Sequence, residues 1–210
     1  MNSASESTSL REMLGASKDP EFEIKLLPGW ERRTPDDDDR ERLNSDLKAR
    51  LSDLRRPDLY GTVSKMVDES YDSLNQQSAI AYYAPMNVDD DATLIPGSLV
   101  ASIRRSPADG TLDDLIASLI RDHGARPLFG DKRFVRFERE STVKMEESTV
   151  YQNTIIYLTP IPGSKHRRAL QFTASFIRPL ESSSEDKLVR SWKFAFDACV
   201  STLRWLPAGS

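Results

Sequence analysis

Apolar side chains in this sequence recur at two spacings, every second residue in some stretches and every third or fourth in others. The change from one spacing to the other divides the chain into elements. Phe22, Ile24 and Leu26 alternate with Glu23 and Lys25, the period of a half-buried strand, and Pro28-Gly29 closes it with a turn that presents Trp30. Beyond Pro35, Leu43, Leu47, Leu51 and Leu54 are spaced by four, four and three, which puts a leucine stripe on one helix face. Pro57 interrupts that pattern, and a second helix runs from Asp58 to about Asn75 with Tyr60, Val63, Val67, Tyr71 and Leu74 on its apolar side. The two make an antiparallel helical hairpin whose apolar stripes must cover something.

A sheet is the expected substrate for that cover. Residues 78–84 and 97–105 read as strands, separated by a turn-rich loop at Asn87-Val88-Asp89-Asp90-Asp91. Thr111-Leu112-Asp113-Asp114 resembles a capping box with Asp in place of Glu, and Leu112, Leu115, Ile116, Leu119 and Ile120 form a helical stripe that stops at Gly124. Residues 134–140, 149–158 and 169–177 are rich in aromatic and β-branched side chains, with Pro160-Ile161-Pro162-Gly163-Ser164 as a hairpin connection. A final helix follows the cap Ser182-Ser183-Ser184-Glu185, carries Leu188, Trp192, Ala195, Phe196, Cys199, Val200 and Leu203 as its stripe, and ends before Pro207. Strands joined by hairpins favour an antiparallel sheet, and helices with one apolar face pack against it, so the expected class is α+β, a sheet sandwiched by helices. The Ser-rich residues 1–19 read as a mobile tail, and 20–206 as one domain without internal repeats.

Composition narrows the chemistry. The chain has 210 residues, 38% hydrophobic and 30% charged, with 29 Lys+Arg against 33 Asp+Glu. A net charge of −4 gives no whole-molecule attraction to nucleic acid or an anionic membrane. That charge is divided, because residues 1–100 hold 12 basic and 20 acidic side chains whereas residues 101–210 hold 17 and 13. Two His and one Cys exclude a disulfide framework and leave too few soft ligands for a zinc site. No leader pattern occupies the first twenty residues and no window supplies about eighteen consecutive apolar residues, so a cytoplasmic protein starting near Met1 is expected. Cys199 then reads as a small buried apolar side chain.

Catalytic constellations fail on identity or spacing. No Gly-rich phosphate loop and no Gly-x-Ser-x-Gly elbow occurs, and His123 and His166 fall on separate elements. Glu146-Glu147 and Asp113-Asp114 are adjacent, so their carboxylates diverge. The run Asp36-Asp37-Asp38-Asp39 lacks the alternating ligands and the Gly of a calcium loop, and complements a helix dipole instead. No cofactor, no metal and no enzymatic activity are expected. Lys132-Arg133-Phe134-Val135-Arg136-Phe137-Glu138-Arg139 sends Val135 and Phe137 to one face and Phe134, Arg136 and Glu138 to the other, an ordinary strand with cross-strand ion pairs rather than a nucleic-acid platform. The remaining candidates for binding are Trp30, as a core plug or a stacking platform, and Lys165, His166, Arg167 and Arg168 at a hairpin tip, as a solubilising turn or a grip for an acidic partner.

Three pieces, in order, carry a family likeness: Phe22-Glu23-Ile24-Lys25-Leu26-Leu27-Pro28-Gly29-Trp30, then Gly110-Thr111-Leu112-Asp113-Asp114-Leu115, then Phe196-Asp197-Ala198-Cys199-Val200-Ser201-Thr202-Leu203-Arg204-Trp205. Over roughly residues 20–206 the chain resembles the PsbP-like superfamily, which includes a photosystem oxygen-evolving subunit, the yeast Ran-binding Mog protein and actinobacterial LpqN-type proteins. The resemblance implies a PsbP-like sandwich and a binding or assembly role without catalysis. It departs at residues 36–75, where members generally pass directly into another strand, so that helical segment stands as an insertion, either an interface or a lid. The expectation is a non-enzymatic actinobacterial protein that binds an unidentified protein partner, as an accessory to secretion or envelope machinery. The alternative is a small-ligand carrier with a pocket between sheet and helices. Nucleic acid and membrane are not expected partners, and the oligomeric state stays open.

Overall fold

The alternating segments pair antiparallel throughout. In the computed structural model, which describes residues 20–85, 95–106, 110–145 and 148–207, the order is β1 (Phe22–Glu23), β2 (Trp30–Arg33), α1 (Asp37–Asp53), α2 (Tyr60–Gln76), β3 (Ala79–Pro85), β4 (Gly97–Arg105), α3 (Leu112–His123), β5 (Arg126–Leu128), β6 (Asp131–Met145), β7 (Ser148–Pro160), β8 (Arg168–Pro179), α4 (Lys187–Ser201) and β9 (Arg204–Trp205). A short 3-10 turn, Pro57–Leu59, joins α1 to α2. The expected tail at 1–19 and the loop at 87–91 lie outside the described residues.

Seven strands form one sheet in the order β2-β3-β4-β8-β7-β6-β5, and β1 pairs with β9 in a separate ribbon. From β4 the chain crosses by way of α3 to the far edge, then returns through β5, β6, β7 and β8 to lie against β4. The fold is therefore α+β, with helices on both faces of an antiparallel sheet.

Side-chain alternation divides the two faces. Leu99 and Ala101 of β4, Ile155 and Tyr157 of β7, and Leu170, Phe172, Ala174 and Phe176 of β8 point to one side, where Val189, Phe196, Cys199 and Val200 of α4 bury against them. Aromatic rings close this layer: Phe22 meets Phe172 edge-on at 5.7 Å, and Trp30 meets Phe196 edge-on at 5.7 Å. A polar seam fixes the same helix, since Asp197 accepts from Arg136 Nε at 2.7 Å and from Tyr157 Oη at 2.6 Å. On the opposite face, Leu112 and Leu119 of α3 cover Phe137, Leu158 and Ala169.

Several elements differ from expectation for identifiable reasons. The strand expected through Leu26 stops at Glu23, because the backbone beyond it serves the end of α4: Lys25 N donates to Thr202 Oγ1 at 2.8 Å and Cys199 Sγ donates to Lys25 O at 3.0 Å. Gly29, at φ +76°, completes the Pro-Gly turn, and the chain then adds β2 along the edge of β3. β5 and β9 are too short for any period to reveal. α4 starts at Lys187, since Asp186 is its N-cap residue and the preceding serines turn on themselves, with Ser183 N donating to Asp186 Oδ2. Leu188 consequently falls outside the stripe and is 60% exposed. Glu138 pairs with Arg136 two residues away and with Lys193 of α4 rather than across the sheet, because its face looks at that helix.

Gly97 marks a close approach of β4 to β8. A Cβ there would lie 2.1 Å from Ser175 O and 2.8 Å from Phe176 Cβ, both on β8. Neither can retreat without parting the β4–β8 ladder. Gly97→Ala is expected to destabilise the protein by about 2–4 kcal/mol in urea unfolding.

Candidate functional site

The second face of the sheet changes character between its two helical covers. Under α3 it is apolar, but beneath the α1–α2 hairpin β4 offers Ser98 and Val100, β8 offers Thr173 and Ser175, and β7 offers Gln152. Small hydroxyls cannot meet the helices in dry contact. Leu43 of α1 and Val63, Val67 and Leu74 of α2 therefore form one wall of a groove of about 700 Å³ rather than one half of a core. Tyr71 of α2 and Tyr82 of β3 also line it.

The two tyrosines belong to the cluster that holds the hairpin in place. Asp36 caps α1, its side chain accepting from Asp39 N at 2.8 Å, and this orients the first turn. Asp37 and Asp38 stay exposed, whereas Asp39 is buried at 5% exposure. Its Oδ1 accepts from Arg33 Nε at 2.7 Å and from Arg42 Nη2 at 2.7 Å, and Arg33 Nη2 lies 2.6 Å away. Its Oδ2 accepts from Tyr71 Oη and, at 2.7 Å, from Tyr82 Oη. The two phenols are also 3.0 Å apart. Two protons serve three short oxygen contacts, so one phenol shares its hydrogen between the carboxylate and its neighbour. This sharing ties β2, α1, α2 and β3 to a single carboxylate.

Electrostatics keep the cluster in one protonation state. Burial raises the Asp39 pKa, but hydrogen bonds from Tyr71, Arg33, Tyr82 and Arg42 outweigh it and hold it at about 2. Burial raises both phenols, Tyr82 to about 12, and the adjacent carboxylate adds to the effect. All three groups thus keep their charge states through the neutral range, which suits a latch and does not suit a general acid or base.

At its lower end the groove adjoins a second cavity of about 700 Å³, sharing Gln77 with it. This one is mixed, bordered by Gln76, Ser78, Ser102, Gln171, Arg104 and Arg105 and by the apolar side chains of Ile80 and Ile103. The basic hairpin tip lies at the same end of the sheet, because Arg105 and Arg168 sit directly opposite each other in the β4–β8 register. Lys165 and His166 adopt left-handed backbone at φ +51° and +57°. The tip is tied down through its main chain: Ser106 N donates to Arg167 O, Leu112 N donates to His166 O, and the His166 ring lies 3.2 Å from Asp113 Oδ1.

Of the residues singled out in the sequence, Arg168 thus lies opposite Arg105 and Arg167 is tied to Ser106, while the His166 ring, next to Lys165, turns to Asp113 of α3. Trp30 is elsewhere, 7% exposed within the core on the α4 face. Sequence reasoning missed Asp39 and the Arg104-Arg105 pair. The pair carried a signal, two adjacent cations closing a strand with no acidic residue alongside. Among the described residues no group of three or more His, Cys, Asp and Glu could hold a metal ion. His123 stacks instead on Phe137, with ring centroids 5.7 Å apart.

A scan against protein-family models finds no match for this chain, and a search of curated proteins finds none either. The site must be read from its own geometry.

Replacing Asp39 tests the latch. Its pKa is lowered from 3.8 to about 2, so its contribution is fully present above pH 4 and is lost as pH falls from about 4 to about 2. That displacement corresponds to about 2–3 kcal/mol. Asp39→Asn should lower stability by this amount at pH 7, and the gap from the wild type should close toward pH 2 in urea unfolding. Asp39→Ala, which leaves the buried Arg33 without its carboxylate, should cost about 3–5 kcal/mol.

Proposed function

We propose that this protein is a non-enzymatic binding protein and that a small ligand occupies the groove between the α1–α2 hairpin and the sheet. The observation that carries the reading is the groove of about 700 Å³ with one aliphatic wall and a floor of hydroxyl and carboxamide groups. Ligand sites are commonly about 300–1,000 Å³, largely apolar, with a few oriented polar groups. The latch at Asp39 adds support, because it holds the helical wall without filling the space beneath it. In this reading the segment 36–75 acts as a lid over the sheet, and the binding role is the one that the PsbP-like resemblance implies.

Nile red, a neutral dye that brightens in apolar surroundings, probes the groove directly. Saturable binding of one equivalent to the full chain is expected, and Val67→Trp should weaken it about tenfold or more while leaving unfolding cooperative. Equal binding by the wild type and Val67→Trp would refute the groove as the site.

One observation favours a protein partner as a second reading. Phe129 and Phe194 are 61% and 63% exposed, and their rings lie 5.9 Å apart. Phe129 holds φ +49° in the tight β5–β6 turn, a position that favours Asn or Gly. A sequence that keeps an exposed Phe where its backbone is strained gains nothing in stability from it. With Lys132 and Arg190 exposed close by in sequence, the patch suits an apolar segment carrying acidic residues. Phe129→Asn should leave the unfolding midpoint unchanged or higher, and should abolish co-purification of a stoichiometric acidic partner from native lysate. Undiminished co-purification would remove the patch from consideration.

A further inference from the structure

We infer that the ligand of the groove is an amphipathic anion, whose apolar part lies against α2 and whose carboxylate or phosphate head is bound by Arg104, which shares a strand face with Ser98, Val100 and Ser102, with the charge of Arg105 beside it at the strand end; this rests on the groove being the binding site. The two cavities share Gln77, lie along one strand face with Val100 and Thr173 in the upper and Ser102 and Gln171 in the lower, and differ in charge. The upper is walled by Val63, Val67 and Leu74, and among the described residues Glu69 is the one charged residue bordering it. The lower is bordered by two guanidinium groups together with Gln, Ser and Ile side chains, and among the described residues no carboxylate borders it. Among the described residues every charge a ligand meets there is positive, so a cationic head is repelled and a neutral head leaves the guanidinium groups unmatched.

Charge balance at this end of the sheet points the same way. Arg104, Arg105 and Arg167 have no ion-pair partner among the described residues. Guanidinium presents a planar fork of donors that matches a carboxylate or phosphate with two parallel hydrogen bonds, and Gln171, Gln77 and Ser102 supply further donors.

The arrangement also orients the ligand. Hydroxyls of Ser98, Thr173 and Ser175 along the floor tolerate an aliphatic chain without binding it, whereas the charged end of the joined cavity fixes one terminus. The chain then runs along α2 toward Tyr71 and Tyr82, whose hydroxyls are already engaged by Asp39.

Displacement of Nile red from the full chain by decanoate, monodecyl phosphate and decanol tests the assignment. Decanoate or monodecyl phosphate should displace the dye at concentrations about tenfold or more below decanol, and the tighter of the two identifies the head as carboxylate or phosphate. The exposed double variant Arg104→Gln/Arg105→Gln should erase that preference and leave decanol unchanged, while Lys132→Gln, which removes a distant exposed charge, should preserve it. Equal displacement by decanol and the anions, or a preference that survives the double variant, overturns the head-group assignment alone. Failure of Nile red to bind at all overturns the groove itself and this inference with it.

Discussion

The carboxylate of Asp39 determines where the helical hairpin sits, and the groove exists only because the hairpin sits there. Among the described residues, Leu51 is the one apolar side chain of α1 that is buried, and Tyr71 is the one buried residue of α2. By contrast α4 buries Val189, Phe196, Cys199 and Val200. Apolar area, with the Asp197 seam beside it, holds α4, whereas the hairpin depends on Arg33, Tyr71 and Tyr82 converging on one charge. A buried ion pair is weak support for stability in general, because desolvation offsets much of its attraction. Its value here is positional, since carboxylate, guanidinium and phenol hydrogen bonds fix direction as a slab of leucines would not.

The two faces of the sheet show why such a device is needed. On the α4 side, large residues from both layers interdigitate, and the charges present run along the outer seam through Arg136, Asp197, Glu138 and Lys193. That face is a core. On the hairpin side the same strands carry Ser98, Thr173, Ser175 and Gln152 at the positions that would otherwise be filled by Leu or Phe. A helix drawn onto such a floor by apolar attraction would either desolvate the hydroxyls or slide. Polar anchorage at one end leaves the rest of the hairpin clear of the floor, and the space beneath becomes usable.

Local signals made much of the fold readable and little of the site. The limits of α3 could be read because Thr111 and Asp114 exchange hydrogen bonds as a capping box, and because Gly124 takes the left-handed cap at φ +63°. Likewise Val135 and Phe137 go to α3 and Phe134 to the α4 side, as strand alternation requires. Asp39 was opaque for the opposite reason. Four consecutive Asp residues look alike to any periodicity, and what distinguishes the fourth is the arrival of Arg33, Tyr71 and Tyr82 from three other elements. Arg104 gains its meaning from Gln77 of α2 and Gln171 of β8, and β8 joins it only through the long return path of the chain.

The uneven charge of the chain acquires a structural sense on these terms. Its acidic portion includes α1, where Asp37 and Asp38 face solvent and Asp39 turns inward, so the visible run understates how differently its members are used. A latch contribution of about 2–3 kcal/mol is a factor of roughly thirty to over a hundred in an opening equilibrium. Little else fastens the hairpin, so breaking the Asp39 cluster releases this unit before the α4 core is disturbed. Entry to a groove covered by such a hairpin therefore requires the loss of a few directed hydrogen bonds rather than the exposure of a hydrophobic layer. The wall can move while the sheet that forms the floor stays intact.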